Sequence, residues 1–134
     1  MYSKIIVSLA LDHGISQNAL QVARALLDEG GTILAVHVHE PVNNAVSAYL
    51  DKSVIEDVYR RTRKVLAERV AGEGDIEPVM LKGHSGRAIT DYAGKIGADC
   101  IIVGSHKPGV SDFLLGSTAS RVVRHAPCAV HVLR

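Results

Sequence analysis

The sequence predicts a doubly wound α/β fold on a five-stranded parallel sheet. Strand-like and helix-like segments alternate along the chain as βαβαβαβαβ, with no long structureless insert and no internal repeat. The strand-like segments are continuous apolar runs rather than alternating ones, as expected of strands covered on both faces. The chain is 47% hydrophobic with one Phe and no Trp, so the core is expected to be aliphatic.

The first strand is read from Lys4 to Leu11, β-branched at its start. Asp12-His13-Gly14 makes a turn, and Ser16 is placed to cap a helix that carries Ala19, Val22, Ala23 and Leu26 to about Glu29. Gly30-Gly31 is read as the stop of that helix. Thr32 to Val38 is the second strand, and Glu40 to Tyr49 is irregular. The longest helix is expected from Leu50 to Val70, with Leu50, Val54, Val58, Val65 and Leu66 as its apolar stripe. Ile76 to Leu81 is the third strand, and Pro78 inside it argues for an edge position. Ser85 is read as the cap of a helix from Gly86 to Ile96. Cys100 to Val103 is the fourth strand, Ser117 to His125 a short helix, and Cys128 to Leu133 the fifth strand.

At 134 residues the chain reads as one domain, 1–134, long enough to bury roughly two-thirds of its unfolded surface. Fifteen basic and 14 acidic residues leave a net charge of +1, which makes no electrostatic case for nucleic-acid binding. Cys100 and Cys128 sit in or beside apolar runs without metal-type spacing, and read as reduced thiols of a cytoplasmic protein. No apolar run approaches 18 residues, so no membrane partner is expected.

In such a sheet ligands sit beyond the carboxyl ends of the strands where the strand order reverses. That places the expected mouth near Leu9 to Asp12 and Val103 to His106. The fourth strand ends in Gly104, a glycine-containing loop follows, and Gly116-Ser117-Thr118 opens a helix. Glycines let backbone approach an anion, and a helix N-terminus offers unpaired N–H groups and a positive dipole end. Lys107 could neutralise a phosphate as a point charge, and His106 could bond one. Strand exit at Gly104 and helix capping at Ser117 would account for the same residues without a ligand.

The run Ile101-Ile102-Val103-Gly104-Ser105-His106, with Leu114-Leu115-Gly116-Ser117-Thr118-Ala119-Ser120-Arg121-Val122-Val123-Arg124-His125-Ala126-Pro127-Cys128, resembles the universal stress protein family. The likeness extends to Ile5-Ile6-Val7, to Val36-His37-Val38, and to Gly97-Ala98-Asp99 before the fourth strand, and so covers essentially the whole chain. It is most similar to the short bacterial members of the nucleotide-binding branch. The resemblance implies an adenine nucleotide alpha hydrolase-like fold with strand order 3-2-1-4-5. It also implies ATP, or AMP or ADP, as ligand, with Mg2+ compatible with bound phosphates, and a homodimer through the C-terminal strand. The family's pattern is Gly, two residues, Gly, nine residues, Gly, then Ser or Thr. Gly104 and Gly116-Ser117 fill its ends, but Lys107 stands at the middle glycine, with Gly109 two residues on, and the interval is one residue short. Ala10 stands where the family usually has Asp, with Asp12 two residues further. The implied site is therefore Leu9, Ala10, Asp12 and Val38 about the base, and Val103, Gly104, His106, Lys107, Gly109, Gly116, Ser117, Thr118 and Ala119 about the phosphates.

No Ser/His/Asp or Cys/His constellation, paired carboxylates or P-loop is present in the sequence, so at most slow ATP hydrolysis is expected. His37 and His39 share one strand face, a weak metal-pair signal without a third ligand. Two other readings stand beside nucleotide binding: a dimeric interaction module with no nucleotide, and an enzyme acting on phosphorylated or adenylated small molecules.

Overall fold

The computed structural model describes residues 1–11, 17–105 and 115–134. In chain order its elements are β1 (Tyr2–Ser8), α1 (Gln17–Leu26), β2 (Leu27–His39), α2 (Asn44–Ser47), α3 (Lys52–Val70), β3 (Ile76–Lys82), α4 (Ser85–Ile96), β4 (Cys100–Gly104), α5 (Ser117–His125) and β5 (Ala129–Leu133). The five strands form one sheet in the order β3-β2-β1-β4-β5, parallel throughout. This is the expected doubly wound architecture. Pro78 lies on edge strand β3, where its missing N–H interrupts no inner ladder.

Alternate residues of the central strands feed two cores. Ile5, Val7, Ile33, Ala35, Cys100 and Ile102 face α1 and α3, with Ala19, Leu20, Ala23, Leu66 and Val70 against them. Ile6, Leu34, Val36, Val38, Ile101 and Val103 face α4 and α5, meeting Ile89, Ala93, Ala119 and Val122. Burying each large aliphatic side chain contributes about 1.5–3 kcal/mol, which is why the strands lack a polar face. Among the described residues no helix is long and apolar enough to cross a membrane.

Four expectations are corrected. The first helix ends at Leu26, and Gly30-Gly31 lies inside β2 rather than closing the helix. There the register shifts: Tyr2 pairs with Leu27, but Lys4 pairs with Thr32. Gly30 takes a left-handed φ of 77°, and a Cβ on Gly31 would stand 2.9 Å from the Ser3 carbonyl oxygen. The glycines thus absorb the extra residues of an irregular ladder.

Second, the predicted stripe of α3 is not its packing face. Leu66 and Val70 are buried, with Ile55, Tyr59 and Thr62 half-buried on the same side, whereas Val54, Val58 and Val65 are exposed. Third, the helix caps differ. His84 precedes α4 without a side-chain cap bond; Ser85 is its first residue, and both its N–H and hydroxyl donate to Glu40. Gly116, not Ser117, is the N-cap of α5. The first strand also stops at Ser8, short of Leu11. The proposed cap Ser16 lies outside the described residues.

Asp99 ties the sheet's lower edge together. Its carboxylate accepts from the Ser3 N–H and hydroxyl and from the Lys4 N–H, each at 2.9 Å. Burial works against the charged form, but these donors outweigh it and hold the carboxyl below its usual range.

Candidate functional site

The strand order reverses at β1, which has β2 on one side and β4 on the other. The carboxyl ends of these strands bring Leu9, Ala10, Val38 and Gly104 to one end of the sheet. Leu9 continues the strand by a single bond, its N–H donating to the Val36 carbonyl at 2.8 Å. The Leu9 carbonyl in turn accepts from His37 Nδ1 at 2.9 Å. Because a carbonyl only accepts, Nδ1 carries the hydrogen, and the ring pins the exit of β1 to β2. Ala10 is exposed immediately beyond.

The structure divides the sequence-derived candidates by what they can present. Leu9, Val38, Val103 and Ala119 bury their side chains in the two cores, so a ligand could meet these residues only through backbone. Gly104 is exposed, and among the described residues no atom lies within 4 Å of where its Cβ would stand. Ser117 is exposed and Thr118 half-buried at the start of α5. Asp12, His106, Lys107 and Gly109 lie outside the described residues, as do His13 and the rest of segments 12–16 and 106–114.

Two hydrogen bonds in series fix the start of α5 beside the end of β4. Ser105, itself buried, donates its N–H to the Leu133 carbonyl at 2.7 Å, and its own carbonyl accepts from the Gly116 N–H at 2.6 Å. The first intrahelical bond runs from Ser120 N to Gly116 O at 2.9 Å. The N–H groups of Ser117, Thr118 and Ala119 precede it, and Gly116 supplies no side-chain cap for them. Such a turn offers directed donors and a positive dipole end to an anion.

Beside this mouth lies a cavity of about 680 Å³, lined in part by His39, Pro41, Val42, Ile55, Tyr59 and Lys82. Its wall is organised by Tyr59. The His39 ring meets it edge-on at 5.3 Å between centroids, and Lys82 Nζ stands 4.4 Å from its centroid, within cation–π range. The sequence reading missed this cluster, because its members come from β2, α3 and β3 and share no local motif. The spacing of His37 and His39 on one face is real, but each ring has another use. Among the described residues no group of three His, Cys, Asp or Glu is placed to hold a metal ion.

Neither cysteine is set up as a nucleophile. Burial pushes the Cys100 thiol up to about 11 and raises that of Cys128.

Comparison with known proteins gives this geometry a context. Universal stress protein G of Salmonella typhimurium is 30% identical over 143 residues, covering 100% of both chains. A universal stress protein solved in complex with cAMP matches with a TM-score of 0.65 at 21% identity, covering 99% of this chain and 97% of that one. The universal stress protein from Archaeoglobus fulgidus in complex with dAMP matches with a TM-score of 0.59 at 18% identity, covering 99% and 98%. The sequence pattern of the Universal stress protein family spans residues 1–134. On the strength of that full-length match, the chain belongs to the universal stress protein family.

Proposed function

We propose that this protein binds an adenine nucleotide, ATP first, at the carboxyl ends of β1, β2 and β4, and that binding rather than turnover is its contribution to a stress response. The observation that carries this reading is the junction of β4 and α5. The first turn of α5, whose N-cap Gly116 has no side chain to cap it, is held beside Gly104 by the Ser105–Gly116 bond. Phosphate oxygens would take the N–H groups of Ser117, Thr118 and Ala119, with the Ser117 and Thr118 hydroxyls as further donors. The open space at Gly104 would let the anion approach the backbone of β4. The base would lie toward β2, against backbone of Leu9, Ala10 and Val38. The cAMP and dAMP complexes of structural relatives support an adenine nucleotide as the ligand class.

Under the same reading the protein is cytoplasmic and pairs with its twin along β5. That strand is an edge of the sheet, and pairing would satisfy its outer row of backbone groups. Equilibrium dialysis against labelled ATP, with and without Mg2+, tests the nucleotide proposal directly. Saturable binding at or below millimolar ligand is expected. Its absence leaves the interaction-module reading, and product formation in the dialysate would favour an enzyme instead.

A further inference from the structure

The outer face of α3 carries an apolar stripe that no other described residue covers. Val54, Val58 and Val65 are 45%, 48% and 37% exposed. Arg61 falls on the same line, so positions 54, 58, 61 and 65 follow the 4-3-4 spacing of a coiled-coil seam. Charge is distributed unevenly along the helix. Its first half carries Glu56 and Asp57 against Lys52; its second half carries Arg60, Arg61, Arg63, Lys64 and Arg69 against Glu68. A helix with an apolar seam, one acidic half and one basic half is complementary to itself reversed.

We infer that α3 is a self-association surface, on which a second copy of this chain docks its own α3 antiparallel about a two-fold axis. Levelling Val54 with the partner's Val65 sets the register, and the rest of the seam follows from it. Val58 then meets the partner's Arg61, and by symmetry each layer occurs twice. In that register Asp57 stands level with the partner's Thr62, one residue from the partner's Arg61 and two from the partner's Lys64, its nearest flanking cations. Asp57 and Lys64 can both turn outward. Asp57 pairs with Arg60, three residues on, at 3.1 Å, and Lys64 stands 3.9 Å from Glu68. At the rim Asp51 comes level with the partner's Glu68, an exposed like-charge pair that solvent and salt screen. The opposite, parallel arrangement would set basic half on basic half, and is excluded by charge. The interface is separate from the β5 edge and from the strand-end mouth, so it is independent of the nucleotide proposal.

The test uses the full chain and sedimentation equilibrium, with cross-linking as a second readout. Val58→Lys sets a lysine against the partner's Arg61 on both sides of the axis and is expected to weaken association more than tenfold. Asp57→Lys and Lys64→Asp are each expected to weaken it at least fivefold, and the double variant to restore it to within twofold. These positions are exposed, so melting temperatures should stay close to wild type, which separates the effect from misfolding. In the Val54→Cys/Val65→Cys variant, oxidation should give a covalent dimer whose mapped bridge joins position 54 of one copy to position 65 of the other. Within one helix these residues are about 16 Å apart and cannot bridge. Association unaffected by Val58→Lys, a double charge reversal that fails to restore it, or a bridge map lacking the 54–65 link would each overturn the inference.

Discussion

Replacing Gly104 by valine should separate the fold from the ligand. Gly104 ends β4, opposite Leu133, with none of the positive φ values that demand glycine. Among the described residues nothing lies within 4 Å of its Cβ position. A valine there meets no described neighbour and favours extended backbone, so stability should change by no more than about 1 kcal/mol. The effect on phosphate is different. A backbone N–H must come within about 2.9 Å of an oxygen, and a branched side chain standing off the strand holds the anion away. Losing one hydrogen bond to a charged group costs about 1.5–3 kcal/mol, or roughly 10- to 150-fold in affinity. Calorimetric titration with ATP, beside a thermal melt of the same sample, reads both quantities. Affinity within twofold of wild type in a fully folded variant would mean that the phosphates do not lie against β4, and the proposed cradle would be in the wrong place.

Other perturbations probe the scaffold. Gly31→Ala should do the reverse of Gly104→Val, because its Cβ would stand 2.9 Å from the Ser3 carbonyl and 2.7 Å from Leu27 Cδ1. A loss of about 1–3 kcal/mol in urea unfolding, with ATP affinity unchanged, is expected. Asp99→Asn replaces an anion that accepts three hydrogen bonds and should cost about 1–2 kcal/mol near neutral pH. The native carboxyl titrates below its unfolded value, so its stabilisation is complete above about pH 4 and fades as pH falls through the lower folded value. Wild type and Asp99→Asn should therefore converge in stability on the acid side; a gap that stays constant with pH would show that charge plays no part.

The alternation of elements, the sheet class and the edge position of β3 were legible because each follows from local chemistry: unbroken apolar runs and a proline without an N–H. The strand-end location of Gly104 and Gly116–Thr118 followed from the same rules. What escaped were features decided between elements. Gly30-Gly31 looks like a helix stop until Tyr2 and Lys4 are seen to pair with Leu27 and Thr32 across a register shift. On α3, two stripes roughly a quarter-turn apart compete. Periodicity favours Val54-Val58-Val65, but β2 and β3 lie under Ile55, Tyr59, Leu66 and Val70. Tyr59 is drawn to that side by His39 and Lys82, residues 20 and 23 positions away in sequence. The Ser85 cap was misplaced by one residue because Glu40, distant in sequence, takes both of its donors.

The short relay through Ser105 joins two parts of the molecule that otherwise look unrelated. Leu133 holds the Ser105 amide, and the Ser105 carbonyl holds the Gly116 amide. The last strand residue and the first turn of the last helix are therefore two ends of one lever, with a buried serine as its fulcrum. Through these two bonds the end of β5 and the start of α5 constrain each other, so an anion seated on that helix start would bear on the strand end as well. If β5 meets a twin along its edge, filling the mouth and closing the pair draw on the same few bonds. Linkage then requires each event to bias the other by an equal factor.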